Sequence, residues 1–139
     1  MHMLWRCPKL QCYWAAVVAT INSIWNLQLP IDPKLCLLGW LDEGRYGSHT
    51  STAILRVLFL ARKLIARKWL SVAAPTHIEW ITSVNDSLVR EQLAYKHRGS
   101  PGKFENIWDP WLGTQGLAPS RLVQSRIHGD RAAAATLLN

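Results

Sequence analysis

His2 and Cys7 stand with four residues between them at the head of "MHMLWRCPKLQCYW". Imidazole and thiolate are natural zinc ligands, and His-x4-Cys is how a knuckle of the type Cys-x2-Cys…His-x4-Cys ends. A closed structural site takes four ligands, and no Cys-x-x-Cys stands in front of His2 in this sequence. Cys12 comes five residues after Cys7, but Pro8 suits the first turn of a helix that points it elsewhere. Residues 1–7 are therefore expected to be a remnant of a zinc-knuckle motif, with His2 and Cys7 unable to hold zinc by themselves. Three cysteines are an odd count and do not suggest a disulfide framework; reduced thiols in an intracellular protein are the simpler reading.

The second candidate is a run of cations. Arg56, Lys63 and Arg67 fall within about 40° of one another at 100° per residue, and Arg62 and Lys68 flank them. Five cations and no acid in thirteen residues is not the usual mixed-charge solvated face. Such a stripe attracts phosphates, and nearby aromatic rings can stack bases where the nucleic acid is single-stranded. The net charge of +7 points the same way, towards polyanions: nucleic acid or an anionic membrane surface. The competing reading is an ordinary solvated helix face. Trp108 and Trp111, around Asp109 and Pro110, offer aromatic faces too, although a Trp-rich corner reads first as core.

Signatures of catalysis and of cofactor binding are missing from the sequence. It carries no Gly-rich phosphate loop, no Gly-x-Ser-x-Gly elbow and no His-Glu-x-x-His pair. The nine carboxylates are scattered, so no convergent acid–base set emerges and no enzyme is expected.

The elements that must position these residues read as all-α, with no period-2 run: a small bundle of about three main helices and an irregular tail. A first helix is expected over 8–27, with Trp14, Val17, Val18, Ile21, Ile24 and Trp25 on one face. Gln11, Thr20, Asn22, Ser23, Asn26 and Gln28 interrupt the uncharged stretch, which argues against a membrane span. "LPIDPKLCLLGW" is a connector expected to carry Leu35, Leu37 and Leu38 into the core, and "LDEGRYGSHT" is a polar loop. A second helix over 50–71 places Ile54, Leu58, Ala61, Ile65 and Trp69 on its apolar face. Thr76 and Glu79 form a T-x-x-E capping box at the start of a third helix ending near Lys96, with Trp80, Ile81, Val84, Leu88 and Tyr95 buried. "KFENIWDPW" is expected to be a short helical turn and corner packing Phe104, Ile107 and Trp108. The domain organisation expected is a remnant over 1–7, a basic Trp-rich helical domain over 8–112 and a loosely ordered tail over 113–139.

Taken in order, the motifs "H-x4-C-P-K-L-x3-W", "P-x2-P…LLG", "A-x3-IA-x-x-W…P-x4-W" and "F-x2-IW-x-PW" run from His2 to Trp111. This ordered set resembles the extreme C-terminal region of the second open reading frame protein of vertebrate LINE-class non-LTR retrotransposons. In that family an endonuclease and a reverse transcriptase lie upstream of a Cys-rich C-terminal segment implicated in binding element RNA. The resemblance implies that His2 and Cys7 match the last two ligands of a Cys-Cys-His-Cys-like motif whose first pair would precede Met1. It also implies RNA contact and upstream retroelement domains as partners. The polymerase's Tyr-x-Asp-Asp-type carboxylates are not in this sequence, so neither polymerase nor nuclease chemistry is expected of it. The function expected is a retrotransposon-derived, non-catalytic helical fragment, cytoplasmic or nuclear, that binds RNA or single-stranded nucleic acid without sequence preference. The alternatives are a structural or protein-interaction domain, and a transposon relic with no selected function.

Overall fold

The computed structural model describes residues 5, 7–42, 44–68, 70 and 73–114, and within them the fold is all-α. Five helices succeed one another among these residues: α1 (Pro8–Trp25), α2 (Pro33–Leu38), α3 (Ser48–Arg67), α4 (His77–His97) and α5 (Pro101–Thr114). The chain divides into two compact units, Met1–Asp86 and Ser87–Asn139, with the division falling inside α4.

In the first unit the helices begin and end where local chemistry dictates. Pro8 and Pro33 open α1 and α2, where a missing N–H costs nothing. Asp32 caps α2, its carboxylate accepting from the Lys34 N–H at 2.9 Å. α1 stops at Asn26, which takes the left-handed conformation at φ 53. The Asn22 side chain then holds the departing chain on both sides: its amide donates to the Leu29 carbonyl at 3.1 Å, and its Oδ1 accepts the Leu29 N–H at 2.8 Å. The polar residue that interrupts the apolar run of α1 is thus a clamp for the turn beyond it.

α3 is the helix on which this unit is organised. Its residues Ala53, Ile54, Val57, Leu58, Leu60, Ala61, Leu64 and Ile65 are buried, an arc of about 160° on the helical wheel. Two buried aromatic side chains donate to carbonyls on that arc: Tyr13 Oη to Ala61 at 2.9 Å and Trp80 Nε1 to Val57 at 2.9 Å. Burial, reinforced by the charge of Glu79, raises the Tyr13 pKa well above its ordinary value, so the phenol keeps the proton it donates. α1 and α4 also meet at Thr20 Oγ1 and His77 Nε2, 2.6 Å apart. The Thr20 hydroxyl also reaches the Ala16 carbonyl, 2.9 Å away.

The capping box at the head of α4 is half realised. The Glu79 N–H donates to Thr76 Oγ1 at 3.1 Å, whereas the Glu79 carboxylate accepts from Lys68 Nζ at 2.7 Å. α2 also departs from the expectation. Leu35 and Cys36 are its buried residues, and Leu38 lies exposed instead of entering the core. Leu38 is the last residue of α2, and the left-handed turn at Gly39 follows it directly. Trp69 and Ser71, expected near the end of the second long helix, lie outside the described residues.

In the second unit α4 closes with a Schellman motif: Ser100 N–H to Tyr95 O at 2.9 Å and Gly99 N–H to Lys96 O at 3.1 Å, with Gly99 at φ 79. The chain then forms a full α5 of fourteen residues, longer than the short turn and corner expected from its proline. Pro110 is exposed, one turn after exposed Asn106, so the carbonyl that loses its helical N–H partner faces water. Phe104, Ile107, Trp108, Trp111 and Leu112 are buried, and Trp108 Nε1 donates to Glu91 Oε2 at 2.9 Å.

Replacing Pro110 with Ala should stabilise this unit. The restored hydrogen bond and relieved ring clash favour Ala by up to about 3 kcal/mol, and the freer unfolded chain offsets up to about 1 kcal/mol of that. The expected net gain of about 1–2 kcal/mol is measurable by urea unfolding followed by circular dichroism.

Candidate functional site

α3 carries no acidic residue along its length, and its cations divide into two groups. Arg56, Lys63 and Arg67 are exposed and share the arc of about 40° directed away from the buried face. Arg62 and Lys68, the flanking cations, are tied into the unit. Arg62 Nη1 donates to the Cys36 carbonyl at 3.1 Å, which fastens α2 to α3, and its guanidinium stands 5.9 Å from the Phe59 ring centroid. Partial burial lowers the Arg62 pKa from its usual value. Lys68 forms the ion pair with Glu79 that links the end of α3 to the first turn of α4. The five cations are therefore not equivalent: three form an outward stripe and two are structural fastenings.

The stripe has a cost. Lys63 and Arg67 are like charges at i, i+4, which destabilises a helix by about 0.2–0.5 kcal/mol. Arg67, in the last turn, recovers part of this from the helix dipole. A face needing only solvation would gain from an acid at one of these positions.

No protein-family model matches this chain, and no solved structure matches it.

His2 lies outside the described residues, so its pairing with Cys7 does too. Cys7 is half-buried at the N-cap of α1, and its carbonyl accepts the Gln11 N–H at 2.9 Å. Cys12 is exposed, and the buried Cys36 lies on α2; all three thiols are free. Among the described residues no three His, Cys, Asp or Glu side chains come together as a metal site. No described helix is long and apolar enough to cross a membrane.

Trp108 and Trp111 cannot serve as a stacking platform, because both rings are fully buried. Among the described residues of the first unit the exposed aromatic side chains are Trp40 and Phe59, neither of which stood out in the sequence. A signal for Phe59 existed: it lies three residues after Arg56 and four before Lys63, adjoining the basic arc. Trp40 had none, since its exposure comes from the turn at Gly39.

Burial pushes the Cys36 thiol up to about 12; the Asp32 charge also raises it, while a backbone hydrogen bond and Arg62 oppose the rise. Cys12 should react with a thiol reagent in the native protein at neutral pH, and Cys36 only after unfolding; mass mapping of the labelled peptides reads this directly. The native state holds the Cys36 proton more tightly than the unfolded chain. Its contribution to stability is therefore intact below the ordinary thiol value of 9.0 and is lost as pH rises through about 12. Urea midpoints should fall across that window, and Cys36→Ala should flatten the decline.

Proposed function

We propose that this chain is a non-catalytic nucleic-acid-binding helical domain that holds RNA or single-stranded nucleic acid through the exposed basic face of α3, without sequence preference. We further propose that it derives from the C-terminal region of a LINE-class retrotransposon second open reading frame protein, and that it works inside the cell. The observation that carries the binding reading is the outward stripe of Arg56, Lys63 and Arg67 on a helix without a single acid. Phosphates are the polyanion such a stripe fits: three cations on one arc meet a periodic negative backbone and release its condensed counterions. The net charge of +7 adds long-range attraction to the same partner. Three free thiols accord with an intracellular compartment.

The test is the salt dependence of binding to a labelled RNA, read by fluorescence anisotropy. Three phosphate contacts to a single strand predict a log–log slope of about −2, so raising salt from about 50 to about 200 mM should weaken binding roughly twentyfold. Joint substitution Arg56→Ala, Lys63→Ala and Arg67→Ala should remove most of that slope and leave the helix content unchanged, since Ala favours the helix. An unchanged affinity and slope in the triple variant would falsify the reading.

A further inference from the structure

The first unit leaves an apolar surface uncovered at the junction of α2 and α3. Leu38 is 73% exposed, Trp40 65%, Phe59 47% and Leu55 39%, in a chain that fully buries Trp14, Trp80, Trp108 and Trp111. These residues share one neighbourhood. Gly39, at φ 67, sits so close to α3 that an added Cβ would lie 3.3 Å from Leu55 Cδ2 and 3.7 Å from Arg62 Nη1. That turn delivers Trp40, whose N–H donates to the Lys34 carbonyl at 3.1 Å. An open depression of about 500 Å³ lies there, lined by Gly39, Trp40, Leu41 and Asp42.

Each exposed ring has a cation over it: Lys34 Nζ stands 5.7 Å from the Trp40 centroid and Arg62 Cζ 5.9 Å from that of Phe59. On the wheel of α3, Phe59 lies about 40° from Lys63 and about 60° from Arg56, between the outward basic stripe and Leu55. The surface thus runs from three exposed cations, through an exposed aromatic ring, to a second exposed aromatic ring on the neighbouring turn. Among the described residues Asp42 is an acid at this edge, and Arg45 Nη1 pairs with it at 3.3 Å.

We propose that Trp40 and Phe59 form a base-stacking surface that makes this domain selective for single-stranded over double-stranded nucleic acid. The stacking surface rests on nucleic-acid binding by the basic face of α3 and adds the ligand's form. Flat rings beside a cationic track match a polynucleotide whose bases are free, phosphates on the stripe and bases against the rings. A duplex keeps its bases stacked on one another, so it can use the stripe but not the rings. The cation beside each ring supplements the contact with a base.

The full chain is titrated with a labelled oligouridylate of about a dozen nucleotides, and with a duplex of equal length, at one fixed salt concentration. The variant Trp40→Leu with Phe59→Leu keeps the surface apolar and removes both π faces. Trp40→Tyr with Phe59→Tyr keeps aromatic rings. Because these side chains are exposed, circular dichroism should be unchanged in both. The expected result is tighter binding of the single strand by the wild type. The leucine variant should lose about fivefold or more per ring on the single strand and nothing on the duplex, and the tyrosine variant should largely retain binding. Equal binding of both probes with no loss in the leucine variant would overturn the stacking surface and leave the basic-face reading standing. Failure of the wild type to bind either probe would remove the basic-face reading itself, and the stacking surface with it. If the leucine changes abolish self-association by sedimentation while single-strand affinity is untouched, the surface belongs to a second copy of the chain and the proposal is wrong.

Discussion

The first unit depends on α3 having two faces that do not mix. One arc is closed by Ala53, Ile54, Val57, Leu58, Ala61 and Ile65, all buried, and every neighbouring helix of the unit is fastened to α3. Tyr13 reaches it from α1, Cys36 from α2 and Trp80 from α4, each through a hydrogen bond with α3. The opposite arc is exposed and carries cations, apolar side chains and, near its start, Ser48, His49 and Thr52, with no acid. Because a helix repeats every 3.6 residues, burying the first set forces the second outward together. The basic stripe is therefore a geometric consequence of how the core closes, and its chemistry depends on which residues occupy those outward positions.

Two buried indoles, those of Trp80 and Trp108, have a polar partner as well as a packing site. Trp80 donates to the Val57 carbonyl in the first unit, and Trp108 donates to Glu91 in the second. Left without a partner, each indole N–H would cost about 1–3 kcal/mol on burial. Satisfied, it orients the ring, so a large side chain acts as a positioned wedge. Tyr13 obeys the same rule, and burial strengthens it: a phenol that resists ionisation remains a donor well beyond neutral pH. Trp40 is held differently. Its backbone is fixed by the turn at Gly39, and its ring extends into solvent.

The all-α class was legible because it rests on long apolar periodicities, and α1, α3 and α4 appear close to where those periodicities put them. The apolar face of α3 was legible for the same reason: Ile54, Leu58, Ala61 and Ile65 recur on one side of a single helix. Shorter signals failed where two local rules competed. Pro110 suggested a corner, but a buried face of Phe104, Ile107, Trp108, Trp111 and Leu112 outweighed one lost hydrogen bond on the solvent side. Glu79 satisfied a capping pattern, yet its carboxylate is drawn to Lys68, a partner eleven residues away that no local pattern names. Leu38 looked like core because leucine usually is; it is the last residue of α2, just before the left-handed turn at Gly39, and it lies exposed. The candidate stripe could be read from spacing alone, whereas the division of its five cations required knowing what lies beside each.

That division decides how the cations of α3 differ in consequence. Removing Arg56, Lys63 or Arg67 deletes charge from an outward, solvent-exposed face. Removing Arg62 also releases the Cys36 carbonyl, loosens α2, and with it the Gly39 turn that sets Trp40. Removing Lys68 leaves the Glu79 carboxylate without its cation at the head of α4, near the phenol of Tyr13 whose proton it helps retain. Loss of binding in an Arg62 or Lys68 variant would thus mix electrostatics with repacking, and the two effects would share a sign. Lys63 and Arg67 most cleanly separate attraction for a polyanion from the integrity of the fold, because they lie on the arc of α3 that the core does not use.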